Sequence, residues 1–136
     1  PAAARSAADL GAGSGLVAIA AARAGAAVVT AVDTDPAALA AVRRNAALNG
    51  VPVETSPTLV PADVLLAGDV FYSGEVARRL LPLLRAHGGT VLVGDPGRGY
   101  FPERLFEELA AYDVPVRRSL EDTETMRARI WRLRPR

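Results

Sequence analysis

Residues 9–15 read Asp-Leu-Gly-Ala-Gly-Ser-Gly and run straight into an alanine-rich segment, and no other stretch restricts the fold as much. Glycines at alternate positions, Gly11, Gly13 and Gly15, let the chain turn sharply after a strand and leave main-chain N–H groups open to a ligand. This is a nucleotide-type loop on an α/β scaffold, and its spacing sorts the ligand. A dinucleotide fingerprint requires a third glycine three residues after the second, where this chain has Leu16. A Walker loop requires lysine, and all sixteen basic residues here are arginine. What remains is a Gly-x-Gly-x-Gly turn behind an acid, suited to a ligand with an adenosine and an amino-acid moiety but no phosphate. Asp9 would repel pyrophosphate and attract a cation.

Around this loop the chain alternates strand and helix. Ser6–Leu10 is read as the first strand on the strength of the turn behind it, since Ser-Ala-Ala is weak strand sequence. Residues 15–24 form a helix with Leu16, Ile19, Ala20 and Arg23 at helical spacing, and Val28–Val32 is a buried parallel strand. At its tip, eighteen residues beyond Gly15, stands Asp33, followed by Thr34; this is where Rossmann-like folds grip a ribose diol. Asp35-Pro36 starts a second helix through Leu39, Val42 and Ala46 that stops at Asn49-Gly50.

Residues 51–56 and 64–67 are the third and fourth strands. The seven residues between them are short for a parallel crossover, so a crossover helix is expected to be truncated or missing there. The fourth strand delivers Gly68-Asp69-Val70-Phe71-Tyr72 to the edge where strand order reverses, which places Asp69 and Tyr72 on the ligand side. Ser73 caps a helix to about residue 85, with Val76, Leu80, Leu83 and Leu84 as its buried stripe, Pro82 kinking it and His87 favouring its C-terminal dipole. A fifth strand over 90–94 leads to Asp95-Pro96-Gly97-Arg98-Gly99. Phe101, Leu105, Leu109 and Tyr112 mark a further amphipathic helix, and 114–120 and 126–133 pair antiparallel around residues 121–124. Arg127, Arg129 and Arg132 read as snorkelling edge side chains rather than an acidic-partner surface.

Composition trims the alternatives. The 136 residues make one domain, and a net charge of +1 gives no argument for nucleic acid. There is no cysteine, hence no thiolate chemistry, and no metal site is expected. The longest uncharged run, residues 10–22, is too short to span a membrane, and no signal peptide opens the chain, so the expected location is cytoplasmic.

The loop resembles the first motif of the class I, seven-strand S-adenosylmethionine methyltransferases. With 32–36, 44–50, 68–72 and Val93-Gly94-Asp95-Pro96-Gly97-Arg98, the chain is similar over nearly its whole length to the electron transfer flavoprotein β-subunit lysine methyltransferases and their relatives, the ribosomal protein L11 methyltransferases. The resemblance implies a Rossmann-like seven-strand methyltransferase sheet, mostly parallel with an antiparallel last strand and helices on both faces. It implies S-adenosyl-L-methionine bound by Asp9, Gly11, Ala12, Gly13, Ser14, Gly15, Asp33 and Thr34, with Asp69 and Tyr72 catalytic. The acceptor it implies is a protein lysine, on the electron transfer flavoprotein β subunit or a ribosomal protein. Methylation of a small nitrogenous molecule and a non-catalytic scaffold are the competing readings. The departures are the absence of the family's helical segment ahead of the first strand and the short link at 57–63.

Overall fold

A computed structural model describes residues 5–97, 99–117 and 123–135. The strands form one seven-stranded sheet in the order β3-β2-β1-β4-β5-β7-β6, and the chain divides into two compact units.

The first unit comprises residues 1–68 and 87–91. It holds β1 (Ser6–Leu10), α1 (Leu16–Arg23), β2 (Val28–Val32), α2 (Pro36–Leu48), β3 (Glu54–Ser56) and β4 (Val64–Gly68). β1 pairs in parallel with β2 and β4, and β2 with β3. The weak strand sequence of β1 is overridden by its position: Ala7 and Ala8 are buried between β2 and β4, where small side chains let a helix approach. That helix presents Ala18, Ile19 and Ala21 to the sheet, while Leu16 stays 75% exposed and Ala20 and Arg23 face solvent. Of the helical spacing read from the sequence, only Ile19 lies on the buried face, because close packing selected alanines over larger side chains.

In α2 the expectation holds residue by residue. Asp35 caps it by accepting from the Ala37 N–H at 2.9 Å, Pro36 opens it, and Leu39, Val42 and Ala46 are buried. β3 is three residues rather than six; Pro52 has no N–H to donate, and pairing is confined to Thr30–Val32. From β3 the chain must pass β2 and β1 to reach β4, three strand spacings of about 4.8 Å each. Seven extended residues reach about 23 Å, so residues 57–63 make this crossing without a helix. Its far end is tied down: the Ser6 N–H and hydroxyl donate to Asp63 Oδ2 at 3.0 and 3.1 Å, and the Asp63 N–H donates to Ser6 Oγ at 2.9 Å. Those bonds hold the Asp63 carboxyl below the usual carboxylate range. His87 lies at this N-terminal end of β1, its Nε2 3.4 Å from the Asp63 carbonyl oxygen.

The second unit comprises residues 69–86 and 92–136. It contains α3 (Gly74–Ala86), most of β5 (Thr90–Asp95), a 3-10 turn (Glu103–Leu105), β6 (Phe106–Arg117) and β7 (Thr123–Leu133). Ser73 caps α3 as expected, its Oγ accepting from the Val76 N–H at 3.1 Å. The helix is assigned without a break across Pro82, and of the expected stripe only Leu84 is fully buried. β7 runs antiparallel to both β5 and β6, as expected of the hairpin, whose residues 118–122 lie outside those described.

The helix expected from Phe101, Leu105, Leu109 and Tyr112 is absent; β6 takes its place. A register shift between Glu108 and Ala110 makes Leu109 the extra residue of a bulge, 48% exposed, so its helical spacing was coincidental. The burial that matters belongs to Phe106, which joins Phe101, and through it Phe71 and Trp131, in an aromatic cluster with centroids 4.6 to 5.3 Å apart. The hairpin arginines are ion-paired rather than merely snorkelling: Arg127 with Asp113 at 3.2 Å, Arg129 with Glu108 at 3.0 Å and Arg132 with Glu107 at 3.5 Å.

Candidate functional site

The reversal of strand order lies between β1 and β4, and at the C-terminal end of β1 the glycine turn takes its shape from main-chain bonds. Gly11 and Ala12 N–H groups both donate to the Val32 carbonyl, at 2.9 and 3.0 Å, and Gly15 N–H closes back on Ala12 O at 2.9 Å. Gly11, Gly13 and Gly15 all have φ in the left-handed region. At Gly15 a second constraint applies, because a Cβ there would meet both γ-methyls of Val42 at 3.1 Å. At Gly13 the surroundings are open, and Gly13 and Ser14 are both exposed.

Asp33 is the hinge of this arrangement. One carboxylate oxygen accepts from Gly13 N–H and the other from Asp35 N–H, each at 3.0 Å. Each oxygen keeps one acceptor position. Thr34 follows it, exposed on the same turn. Asp9, by contrast, is 1% exposed. Its carboxyl accepts a hydrogen bond from the backbone of Ala18 in the first turn of α1, a helix whose N-cap Gly15 has no side chain to offer, and Oδ2 has no partner. Burial pushes its pKa up to about 7; the Ala18 bond opposes this and the negative charge of Asp33 adds to it. Asp9 thus acts on the turn from beneath, by holding the helix that the turn feeds. β4 ends at Gly68, where a Cβ would lie 3.0 Å from Val17 Cγ2 and would push that methyl aside by a few tenths of an ångström.

In the second unit, Asp69 adopts φ 48, the only described non-glycine residue with positive φ, and its N–H donates to Gly94 O at 2.8 Å. Strain of this kind gathers at functional positions. Val70 and Phe71 are buried, so Asp69 and Tyr72 flank them at the surface, Tyr72 58% exposed. Asp95 is buried at the end of β5, its Oδ2 accepting from Gly97 N–H at 2.9 Å.

Residues 2–78, more than half of the chain, match the ribosomal protein L11 methyltransferase (PrmA) family. The chain belongs to that family. Electron transfer flavoprotein β-subunit lysine methyltransferase of Xenopus laevis is 36% identical over 142 residues, covering 93% of this chain and 58% of the relative. This PrmA-family chain therefore spans a little over half the length of such curated relatives. The crystal structure of a ribosomal protein L11 methylase from Lactobacillus delbrueckii subsp. bulgaricus aligns with TM-score 0.61 at 26% identity, covering 96% of this chain and 71% of that one. An RNA methyltransferase from Salinibacter ruber, solved with S-adenosyl-L-homocysteine, shares the fold at TM-score 0.59 and 24% identity, covering 95% and 80%.

Two residues of this PrmA-family site escaped the sequence reading. Val42 was read as core alone, yet it fixes how close the turn lies to α2. Asn45 was read only as part of a motif, yet its Nδ2 donates to Ser14 O at 2.9 Å. Its signal was a helix-disfavouring amide three residues after buried Val42, at the edge of the same face.

Proposed function

We propose that this chain is the catalytic portion of an S-adenosylmethionine-dependent N-methyltransferase that modifies lysine side chains of a protein. The observation that carries the reading is the Asp33 carboxylate, which clamps the glycine turn and the β2–α2 turn together and keeps an acceptor position on each oxygen for a ribose diol. The residues fit an adenosyl amino acid: an exposed turn at Gly13 and Ser14 for its polar end, and the Asp33 carboxylate rather than a lysine beside it. Gly11 and Ala12 shape that turn, Gly15 admits α2 beside it, and Thr34 lies at the ribose end.

The bound sulfonium supplies a methyl group that is already activated, so the protein's task is alignment, worth on the order of 7–11 kcal/mol. A lysine amine with its usual pKa of about 10.4 must lose a proton before it can attack, and partial burial favours that loss. Asp69 accepts an N–H of the incoming amine and aims its lone pair, and Tyr72 bounds the space around it. The acceptors named for the relatives, electron transfer flavoprotein β subunit and ribosomal protein L11, are the first substrates to try.

Calorimetric titration with S-adenosylhomocysteine and with NAD tests the cofactor, expecting binding of the first alone. Transfer of labelled methyl groups to the two proteins tests the acceptor. Labelling of free amines with no labelling of either protein would replace the protein acceptor by a small molecule, and binding of neither cofactor would sink the methyltransferase reading.

A further inference from the structure

We infer that Asn45 is a positioning residue for the cofactor, tying the carbonyl of Ser14 so that the exposed tip of the glycine turn is held from α2. The inference rests on the cofactor reading above but not on the acceptor. Three residues of the β2–α2 arm meet the turn in succession: Asp33 takes the Gly13 N–H at 3.0 Å, Val42 abuts Gly15, and Asn45 Nδ2 donates to Ser14 O at 2.9 Å. Asp33 thus fixes a donor and Asn45 an acceptor of the Gly13-Ser14 tip, one in each of the two peptide groups that flank the 13–14 peptide. Gly13 and Gly15 both sit at positive φ, so without those ties their backbones have many alternative conformations available. Asn45 costs α2 something, since asparagine is a worse helix former than alanine, so its amide serves the turn at the helix's expense.

This trade supplies the test. In Asn45→Ala the helix gains propensity while the tie is lost. Hydrogen exchange in the unliganded protein should therefore quicken several-fold at the Gly13–Leu16 amides with no fall in Tm. S-adenosylhomocysteine affinity should weaken about three- to ten-fold, the range of one neutral hydrogen bond. Asn45→Asp, nearly isosteric but presenting an oxygen to Ser14 O, should quicken exchange at least as much. Arg43→Ala is the control. Arg43 is on the same helix, and its loss removes the 2.9 Å bond from its Nη1 to Thr55 Oγ1 on β3, which should leave turn exchange and affinity unchanged. Wild-type turn exchange in both Asn45 variants, or equal loosening by Arg43→Ala, overturns the inference. A wild-type protein that binds no S-adenosylhomocysteine overturns the cofactor reading instead, and the exchange data still decide whether Asn45 holds the turn.

Discussion

Asp9 makes the stability of this protein depend on pH in a direction opposite to that of most carboxylates. Its folded pKa of about 7 lies above its ordinary value of 3.8, so between those values the folded state holds a proton that the unfolded state has released. The contribution of Asp9 is then fullest below about pH 4, falls as pH rises toward 7, and levels off once the buried carboxyl has ionised in both states. Two pH units separate pH 5 from the folded pKa, and each is worth a little over 1 kcal/mol, so this one group removes on the order of 3 kcal/mol between pH 5 and pH 8. Asp9→Asn removes the titration but keeps an oxygen for the Ala18 N–H. Its new amide hydrogens enter a place where Oδ2 has no partner, which costs about 1–3 kcal/mol at every pH. The assay is urea unfolding of both proteins at pH 5 and pH 8. The quantity is the difference between their two pH-dependent changes, which cancels the groups common to both. A wild-type loss exceeding that of the variant by on the order of 3 kcal/mol is expected. Parallel changes in the two proteins would refute a buried, proton-holding Asp9.

Gly15→Ala should destabilise more than Gly50→Ala, because both have positive φ, worth about 1–2 kcal/mol, but only Gly15 also crowds Val42; thermal melts compare them. Asp33→Ala removes the clamp on two N–H groups, and its S-adenosylhomocysteine affinity should drop by at least about ten-fold in calorimetry, as for charge-assisted bonds. Asp69→Ala should slow methyl transfer with cofactor affinity unchanged, and unchanged turnover would remove Asp69 from the proposed chemistry. Phe106→Ala should cost about 3–5 kcal/mol in urea titration, since its ring is 1% exposed within the aromatic cluster.

Local chemistry determined much of this protein before any tertiary contact. Positive φ at alternate residues favours glycine, a helix start favours a cap and tolerates proline, and a mostly apolar, β-branched run favours a buried parallel strand. Hence the turn at 11–15, the Asp35-Pro36 start of α2, and β2 were all legible. The acid at the tip of β2 was legible from spacing alone, and the antiparallel last strand from two neighbouring runs of residues. Tertiary structure decided what those rules leave open. Ala7 and Ala8 make a strand only because two neighbouring strands and an alanine-faced helix enclose them. Leu105 and Leu109 follow a helical period, yet Leu105 ends a 3-10 turn, and pairing with β7 and a bulge put Leu109 in β6 instead. Asp9 and Asp33 look alike in sequence, and only burial separates an acid that holds a helix from one that clamps the glycine turn and keeps free acceptor positions. Asn45 reaches Ser14 across 31 positions of chain, a bond that only packing α2 against the glycine turn creates.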